Sequence, residues 1–104
     1  MSKYTEDETL LEKLKTGNSI VWKDFFDKNS HPFLLYIIKY TGMDKDAAIE
    51  KYQDAMVIFH RKVTRNELNP PLQSTLKTYL IGIGKMLCRQ KGRMDDHTDE
   101  IPEV

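Results

Sequence analysis

Apolar residues recur every three or four positions along most of this chain, a spacing that places them on one face of an α-helix. No segment shows the alternation of apolar and polar residues that is typical of a half-buried strand. A chain of 104 residues is long enough for one modest core. The pattern therefore predicts a single all-α domain, a compact bundle of about four to five helices over residues 1–93. Residues 94–104 have little apolar surface to bury and are expected to form an acidic linker or a disordered tail.

Local signals divide the first half of the chain into helices. Thr5, followed three residues later by Glu8, predicts a capping box at the start of the first helix. A second segment begins near Asn18 and is expected to break or kink at Pro32, which lacks an amide donor. Residues 33–40 are rich in apolar residues all round, which predicts deep burial. Four aromatic residues are expected in the core: Trp22, Phe25, Phe26 and Phe33.

Two further helices are separated by a loop that contains prolines. Asp44 predicts the N-cap of a helix of about twenty residues, with a buried stripe made of Ala48, Tyr52, Ala55, Met56 and Phe59. Pro70 and Pro71 cannot continue a helix, so residues 65–74 are expected to form a loop. Ser74 is the predicted N-cap of a last helix over residues 76–93. The apolar stripe of that helix is Leu76, Tyr79, Leu80, Ile83 and Leu87.

The last predicted helix also concentrates positive charge. The whole chain has a formal net charge of zero, yet residues 61–93 carry +7, against −2 for residues 1–60 and −5 for residues 94–104. Lys77, Lys85, Arg89 and Arg93 fall on the side opposite the apolar stripe, and no acid interrupts them. Such a face suits a partner with many phosphates, and a merely solvated basic face explains it about equally well.

Two glycines stand inside this predicted helix. Gly82 and Gly84 each cost a helix roughly 1 kcal/mol relative to alanine. We therefore expect a close approach to the backbone there, and a packed helix explains it better than a bound ligand.

Signs of catalysis or metal binding are missing from the sequence. His31, His60 and His97 lack metal-ligand spacing with one another and with Cys88, and no nucleophile and base stand out as a pair. We expect no enzymatic activity, no metal and no cofactor. A single cysteine allows no internal disulfide, and we expect neither a membrane-spanning helix nor a signal peptide, because the chain has no long apolar run and its start is acidic. The prediction is a cytoplasmic protein without membrane insertion.

The order of these segments resembles region 2 of bacterial sigma factors of the extracytoplasmic-function group. A family helix that reads A-E-D-x-x-Q-E/D is similar to residues 48–54, AIEKYQD, and a family helix that reads W-L-x-x-I-A-x-N is similar to residues 79–86, YLIGIGKM. The family's terminal arginines match Arg93. The resemblance covers about residues 10–93. It departs at Ile49, Tyr79 and Met86, where the family has glutamate, tryptophan and asparagine.

This resemblance implies a sigma region 2-like fold and a role in transcription initiation. Such a domain binds core RNA polymerase at the clamp helices of the beta-prime subunit and helps to recognise and melt the minus-ten promoter element. Glu50, Gln53 and Asp54 would be the polymerase-docking residues. Their i, i+3 and i+4 spacing lets them share one helix face, although a solvated face explains the same spacing. The resemblance leaves open an anti-sigma factor as a further partner.

The resemblance also implies contacts to the melted non-template strand of promoter DNA. The loop would capture an unstacked base, and the amides of Asn66, Asn69 and Gln73 can both donate and accept as a base edge requires. Turn formation is the simpler explanation of the two asparagines. Tyr79 could stack on a base, yet its place in the apolar stripe favours a core position. The residues expected to meet phosphates are Lys77, Lys85, Arg89 and Arg93.

Two other functions fit parts of the pattern. A helical protein-interaction adaptor would bind an acidic partner through the basic face, and it would not prefer melted promoter DNA to random single strands. A small helical nuclease or hydrolase would need clustered acids or histidines beside that face. Neither appears among residues 77–93.

Overall fold

The computed structural model describes residues 3–89, which fold into four helices with no strand among them. The helices are α1 (Thr5–Lys15), α2 (Ser19–Thr41), α3 (Lys45–Thr64) and α4 (Leu76–Arg89). The prediction of a small all-α bundle is therefore confirmed. Arg93 and the predicted tail, residues 94–104, lie outside the described residues.

Helix α3 lies at the centre of the bundle and packs against the other three helices, and α2 packs against both α1 and α4. All five residues of the predicted α3 stripe are buried, as are four of the five residues in the α4 stripe. Burying one such large apolar side chain contributes roughly 1.5–3 kcal/mol relative to leaving it exposed. The core is therefore centred on α3, because its long apolar stripe packs against all three other helices.

Aromatic side chains join α1, α2 and α3. The ring of Phe25 stacks on that of Phe59 with centroids 5.0 Å apart, and Trp22 meets both rings edge-on. The indole N–H of Trp22 donates to the Leu14 carbonyl oxygen at 3.0 Å, which connects α2 to the end of α1. Of the four aromatic residues expected in the core, Phe25 and Phe33 are buried. Trp22 is half-buried and Phe26 is exposed, so the prediction was wrong for Phe26.

The predicted helix starts at Asn18 and Asp44 are confirmed, and a glycine ends the helix between them. The Asn18 side chain accepts from the amides of Ile20 and Val21 at the start of α2. Gly42 ends that helix with φ of 78°, a left-handed conformation that glycine adopts without steric cost. The Asp44 side chain accepts from the Ala47 amide at 2.8 Å and caps α3.

Two predicted caps are wrong. Helix α1 begins at Thr5 itself, and the residue in the N-cap position, Tyr4, makes no side-chain cap hydrogen bond. At the start of α4 the cap is Thr75, whose Oγ1 accepts from the Thr78 amide at 3.1 Å, whereas the Ser74 hydroxyl donates to the Thr75 carbonyl oxygen. The side-chain cap of α4 thus lies one residue beyond the predicted one, whereas the N-cap residue of α1 has no side-chain cap.

Helix α2 departs most from expectation. It continues through Pro32 as one helix of 23 residues, so the predicted break is absent. Its second half is not buried all round, because α3 and α4 cover only the face that carries Phe33 and Ile37. Leu35 is 57% exposed, and two tyrosines farther along the helix are exposed as well. This stretch, rich in apolar residues, therefore leaves exposed apolar side chains on the outer face of α2.

The two glycines of α4 have different surroundings. A Cβ at Gly84 would lie 2.6 Å from Phe33 Cε2, so the Phe33 ring of α2 packs directly against the backbone of α4 there. Nothing lies within 4 Å of the same position at Gly82. The predicted close helix packing is confirmed at Gly84 alone. None of the described helices has both the length and the apolar content needed to cross a bilayer.

Candidate functional site

Glu50, Gln53 and Asp54, here called the α3 patch, lie at the surface of α3. Glu50 and Gln53 are exposed and Asp54 is half-buried, whereas their neighbours Tyr52 and Ala55 point into the core. The three polar side chains occupy successive turns of one helix and therefore share a face. The predicted docking residues are together on the surface and available to a partner.

An open apolar groove lies beside the α3 patch, and we call it the α2–α3 groove. It has a volume of about 350 Å³ and is lined by Trp22, Phe26, Gln53, Met56, Val57 and His60. Val57 is 54% exposed, and the His60 ring lies 4.7 Å from the Trp22 ring. Gln53 belongs to both features, so a polar edge and an apolar hollow adjoin on the same surface.

The loop after α3 starts with a structural role for Asn66. The Asn66 backbone N–H donates to the Val63 carbonyl oxygen at 3.1 Å, and the Glu67 backbone N–H donates to the Lys62 carbonyl oxygen at 2.8 Å. These two bonds, with φ of 59° at Asn66, form a Schellman motif that closes the helix. Asparagine tolerates this left-handed conformation better than most residues. Helix termination accounts for Asn66, which lies outside the nearby cavity.

Asn69 also has partners inside the protein. Its amide nitrogen donates to the Asn66 carbonyl oxygen at 2.9 Å, and its oxygen accepts from Lys15 Nζ at 2.7 Å. Both ends of this side chain are therefore engaged, and one of the bonds connects the loop to α1. Asn69 is better placed to shape the loop than to read a base.

The loop encloses a small hollow, here called the loop cavity. Its volume is about 100 Å³, and its lining is Leu68, Asn69, Pro71, Leu72, Gln73, Ser74, Leu76 and Tyr79. Gln73 is exposed, and no hydrogen bond to its amide occurs within residues 3–89. Of the three predicted amides, Gln73 is thus the one that lines the cavity with its donor and acceptor unused.

Two carboxylates of α1 hold the loop and the start of α4. Glu8 Oε2 accepts from the Leu72 amide at 2.8 Å, and Asp7 Oδ2 accepts from the Leu76 amide at 2.6 Å. Both amides belong to residues that line the loop cavity. Sequence reasoning missed this role, because it assigned Glu8 to a local cap. The only sequence signal was an acidic first turn.

Tyr79 is both a core residue and a wall of the loop cavity. Its side chain is half-buried, and its ring centroid lies 6.1 Å from that of Phe59. Burial raises the pKa of the Tyr79 phenol above its usual range, and the negative charge of Glu67 adds to the effect. The neutral phenol thus persists at alkaline pH and can donate a hydrogen bond at the cavity.

The cationic face of α4 is only partly as predicted. Lys77 and Arg89 are exposed, and Arg93 lies outside the described residues. Lys85 is half-buried, with Nζ 5.8 Å from the ring centroid of Tyr36 and 5.3 Å from that of Tyr40. Neither tyrosine was singled out in the sequence, since their segment was expected to be buried. A tyrosine pair at i and i+4 with polar tips was the signal available.

No group of three or more histidine, cysteine, aspartate or glutamate side chains within residues 3–89 is arranged to hold a metal ion. The three positions that depart from the sigma pattern, Ile49, Tyr79 and Met86, all carry half-buried side chains. Comparison of the chain with protein-family models, with curated proteins and with solved structures finds no match.

Proposed function

We propose that this chain is a sigma-like domain that binds core RNA polymerase and helps to recognise and melt the minus-ten promoter element. The α3 patch would dock on the clamp helices of the beta-prime subunit. The loop cavity and α4 would hold the non-template strand. The domain would carry out no covalent chemistry and would act in the cytoplasm. The observation that carries the proposal is the α3 patch exposed beside an open apolar groove.

The α2–α3 groove supports the docking step on physical grounds. A partner helix binds a groove through apolar anchors, and polar groups at the edge fix its register. Here Val57 and Phe26 offer exposed apolar surface, and Gln53 offers both a donor and an acceptor at the edge. Glu50 and Asp54 add negative charge on the same helix face. Exposed apolar surface with a polar edge is typical of a protein-binding site.

The loop cavity supports the DNA step. Flipping a base out of the stack costs a few kcal/mol, which contacts in a pocket must offset. Gln73 supplies an unused amide, and Tyr79 supplies an aromatic wall with a neutral hydroxyl group. Because the Asn69 side chain is engaged within the protein and Asn66 lies outside the loop cavity, Gln73 is our main candidate for contact with a base edge. Lys77 and Arg89 stay exposed on the following helix and would meet phosphates.

The docking step can be tested with the full chain and a fragment that carries the beta-prime clamp helices. The triple variant Glu50→Ala/Gln53→Ala/Asp54→Ala should bind at least about tenfold more weakly, as expected when contacts at an interface centre are lost. The double variant Glu6→Ala/Asp24→Ala also removes two negative charges, but from exposed sites outside the α3 patch, and it should bind like wild type. Equal affinity for the triple variant and wild type would count against the docking step.

The DNA step needs its own assay, because an adaptor with a basic face would also bind an acidic partner. Oligonucleotides with a melted minus-ten element should bind more tightly than single strands of random sequence. Gln73→Ala should reduce this preference, while Ser74→Ala, a neighbouring change in the cavity wall, should preserve it. If wild type shows no preference between the two strands, the adaptor function would explain the chain better.

A further inference from the structure

Two tyrosines on the exposed side of α2 form a feature that the proposed function does not use. Tyr36 and Tyr40 are one helical turn apart, and their rings stack with centroids 6.1 Å apart and an angle of 26° between planes. They remain 41% and 45% exposed. A stacked aromatic pair held open to solvent suggests a surface for a flat partner, because burial of the rings would otherwise be favourable.

Helix α4 brings a cation to this pair. Lys85 Nζ lies within 6 Å of both ring centroids, so the cationic side of α4 meets the tyrosine side of α2. A hollow of about 200 Å³ opens between the two helices and is lined by Tyr36, Thr78, Ile81, Gly82 and Lys85. The Tyr36 ring therefore borders a cavity that is also lined by the ammonium-bearing Lys85 and the hydroxyl-bearing Thr78.

The two helix segments that form this feature carry charge of one sign. Residues 28–43, which include the second half of α2, contain no aspartate or glutamate, and neither do residues 76–89 of α4. The cations on these segments that stay at least partly exposed include Lys39, Lys77, Lys85 and Arg89. The nearest acid along the chain beyond α2 is Asp44, whose carboxylate caps α3. The surface therefore favours an anionic partner.

We propose that Tyr36, Tyr40 and Lys85 form a stacking site for unpaired bases of single-stranded nucleic acid. Stacked rings receive flat bases of any sequence, and the surrounding cations neutralise the phosphates between them. An acidic protein would use the cations but would not need two parallel rings open to solvent. The inference rests on the proposed contact between α4 and the melted strand, and it adds a second binding element on α2.

The site can be tested by fluorescence anisotropy of a labelled single-stranded oligothymidylate with the full chain. Tyr36→Leu/Tyr40→Leu keeps apolar bulk but removes the aromatic faces, and it should weaken binding by about tenfold or more. Tyr36→Phe/Tyr40→Phe keeps the faces and should bind within about twofold of wild type. A 2-aminopurine base in the strand should lose fluorescence on binding to wild type and the Phe variant but not to the Leu variant. Circular dichroism confirms that both variants fold.

The outcomes separate this inference from the proposed function. If wild type and the Leu variant bind the strand equally, or if wild type does not bind it, the stacking site is refuted. Binding to the beta-prime clamp helices is measured with the same variants and should not change. Loss of strand binding in the Leu variant supports the stacking site even if the clamp helices fail to bind, and in that case only the polymerase part of the proposed function fails.

Discussion

The carboxylates of Asp7 and Glu8 allow a sharp test of how this fold holds its loop. Each accepts a hydrogen bond from a backbone amide more than sixty residues away, at 2.6 and 2.8 Å. Asp7→Ala removes the acceptor for Leu76 in the first turn of α4, and Glu8→Ala removes the acceptor for Leu72. Both bonds are partly buried, so the amides would lose their partners where water replaces them poorly.

The expected loss follows from the chemistry of these bonds. A hydrogen bond to a charged group contributes about 1.5–3 kcal/mol. At Leu76 a carboxylate near a helix N-terminus adds roughly 0.3–1 kcal/mol. We therefore expect Asp7→Ala and Glu8→Ala each to lower the free energy of unfolding by about 2 kcal/mol. The double variant should lose about 3–5 kcal/mol, a large part of the 5–15 kcal/mol typical of small domains.

Urea denaturation, followed by circular dichroism and by Trp22 fluorescence, measures these losses. Glu6→Ala is the matched control, because it removes an exposed carboxylate from the same turn of α1, and it should change the free energy by at most about 0.5 kcal/mol. Asp7→Asn keeps a neutral acceptor and should lose about 1 kcal/mol. If Asp7→Ala and Glu8→Ala were no more destabilising than Glu6→Ala, the two bonds would not stabilise the loop.

Three further predictions concern helix packing, alkaline pH and salt. Gly82→Ala should raise the free energy of unfolding by about 0.5–1 kcal/mol because it improves helix propensity in open space, whereas Gly84→Ala should lower it by about 1–3 kcal/mol because its Cβ meets a Phe33 ring. If thermal melts showed that both variants raise or both lower the melting temperature, the close packing of Phe33 against Gly84 would be contradicted. Burial raises the pKa of Tyr52 and Tyr79 above 10.0, and nearby acids add to it, so the folded state holds these protons more tightly than the unfolded state does. The contribution of these two phenols to stability should be constant below pH 10 and fall above it, and tyrosinate absorbance should show two phenols ionising late. Full ionisation near pH 10 without unfolding would refute this. Lys77→Gln should reduce the salt dependence of single-strand binding by about 0.7 in the slope of log affinity against log salt, and an unchanged slope would remove Lys77 from the phosphate contacts.

The helices could be predicted because their signals are local. Asn18, Gly42 and Asp44 act within a few residues of their own positions, and each behaves as its residue type predicts. The α3 patch is predictable for the same reason: once the buried stripe of α3 is known, the positions between its members must face solvent. Local periodicity was thus enough to predict the helical architecture and the surface position of the three residues of the α3 patch.

The loop could not be predicted in this way, because residues distant in sequence decide its contacts. Glu8 fits a local capping box, yet its carboxylate binds the Leu72 amide instead. From the sequence, Asn69 looks like a side chain that is open to solvent in a loop. In the structure its side chain accepts a hydrogen bond from Lys15 and donates one to the Asn66 carbonyl oxygen. In a sequence, nothing distinguishes these asparagine and acidic residues from solvated ones. Only the packing of α1 against the rest of the bundle assigns their partners.

Helix α3 connects the two halves of the proposed function. It carries the α3 patch in its middle and ends in the Schellman motif at Asn66 that starts the loop. It contains no glycine or proline, and the ten residue steps from Asp54 to Thr64 span about 15 Å at 1.5 Å per step. A partner bound at the α3 patch would therefore hold the start of the loop at a fixed distance. Because α1 fixes the far end of that loop through Asp7, docking and strand binding would share one rigid frame.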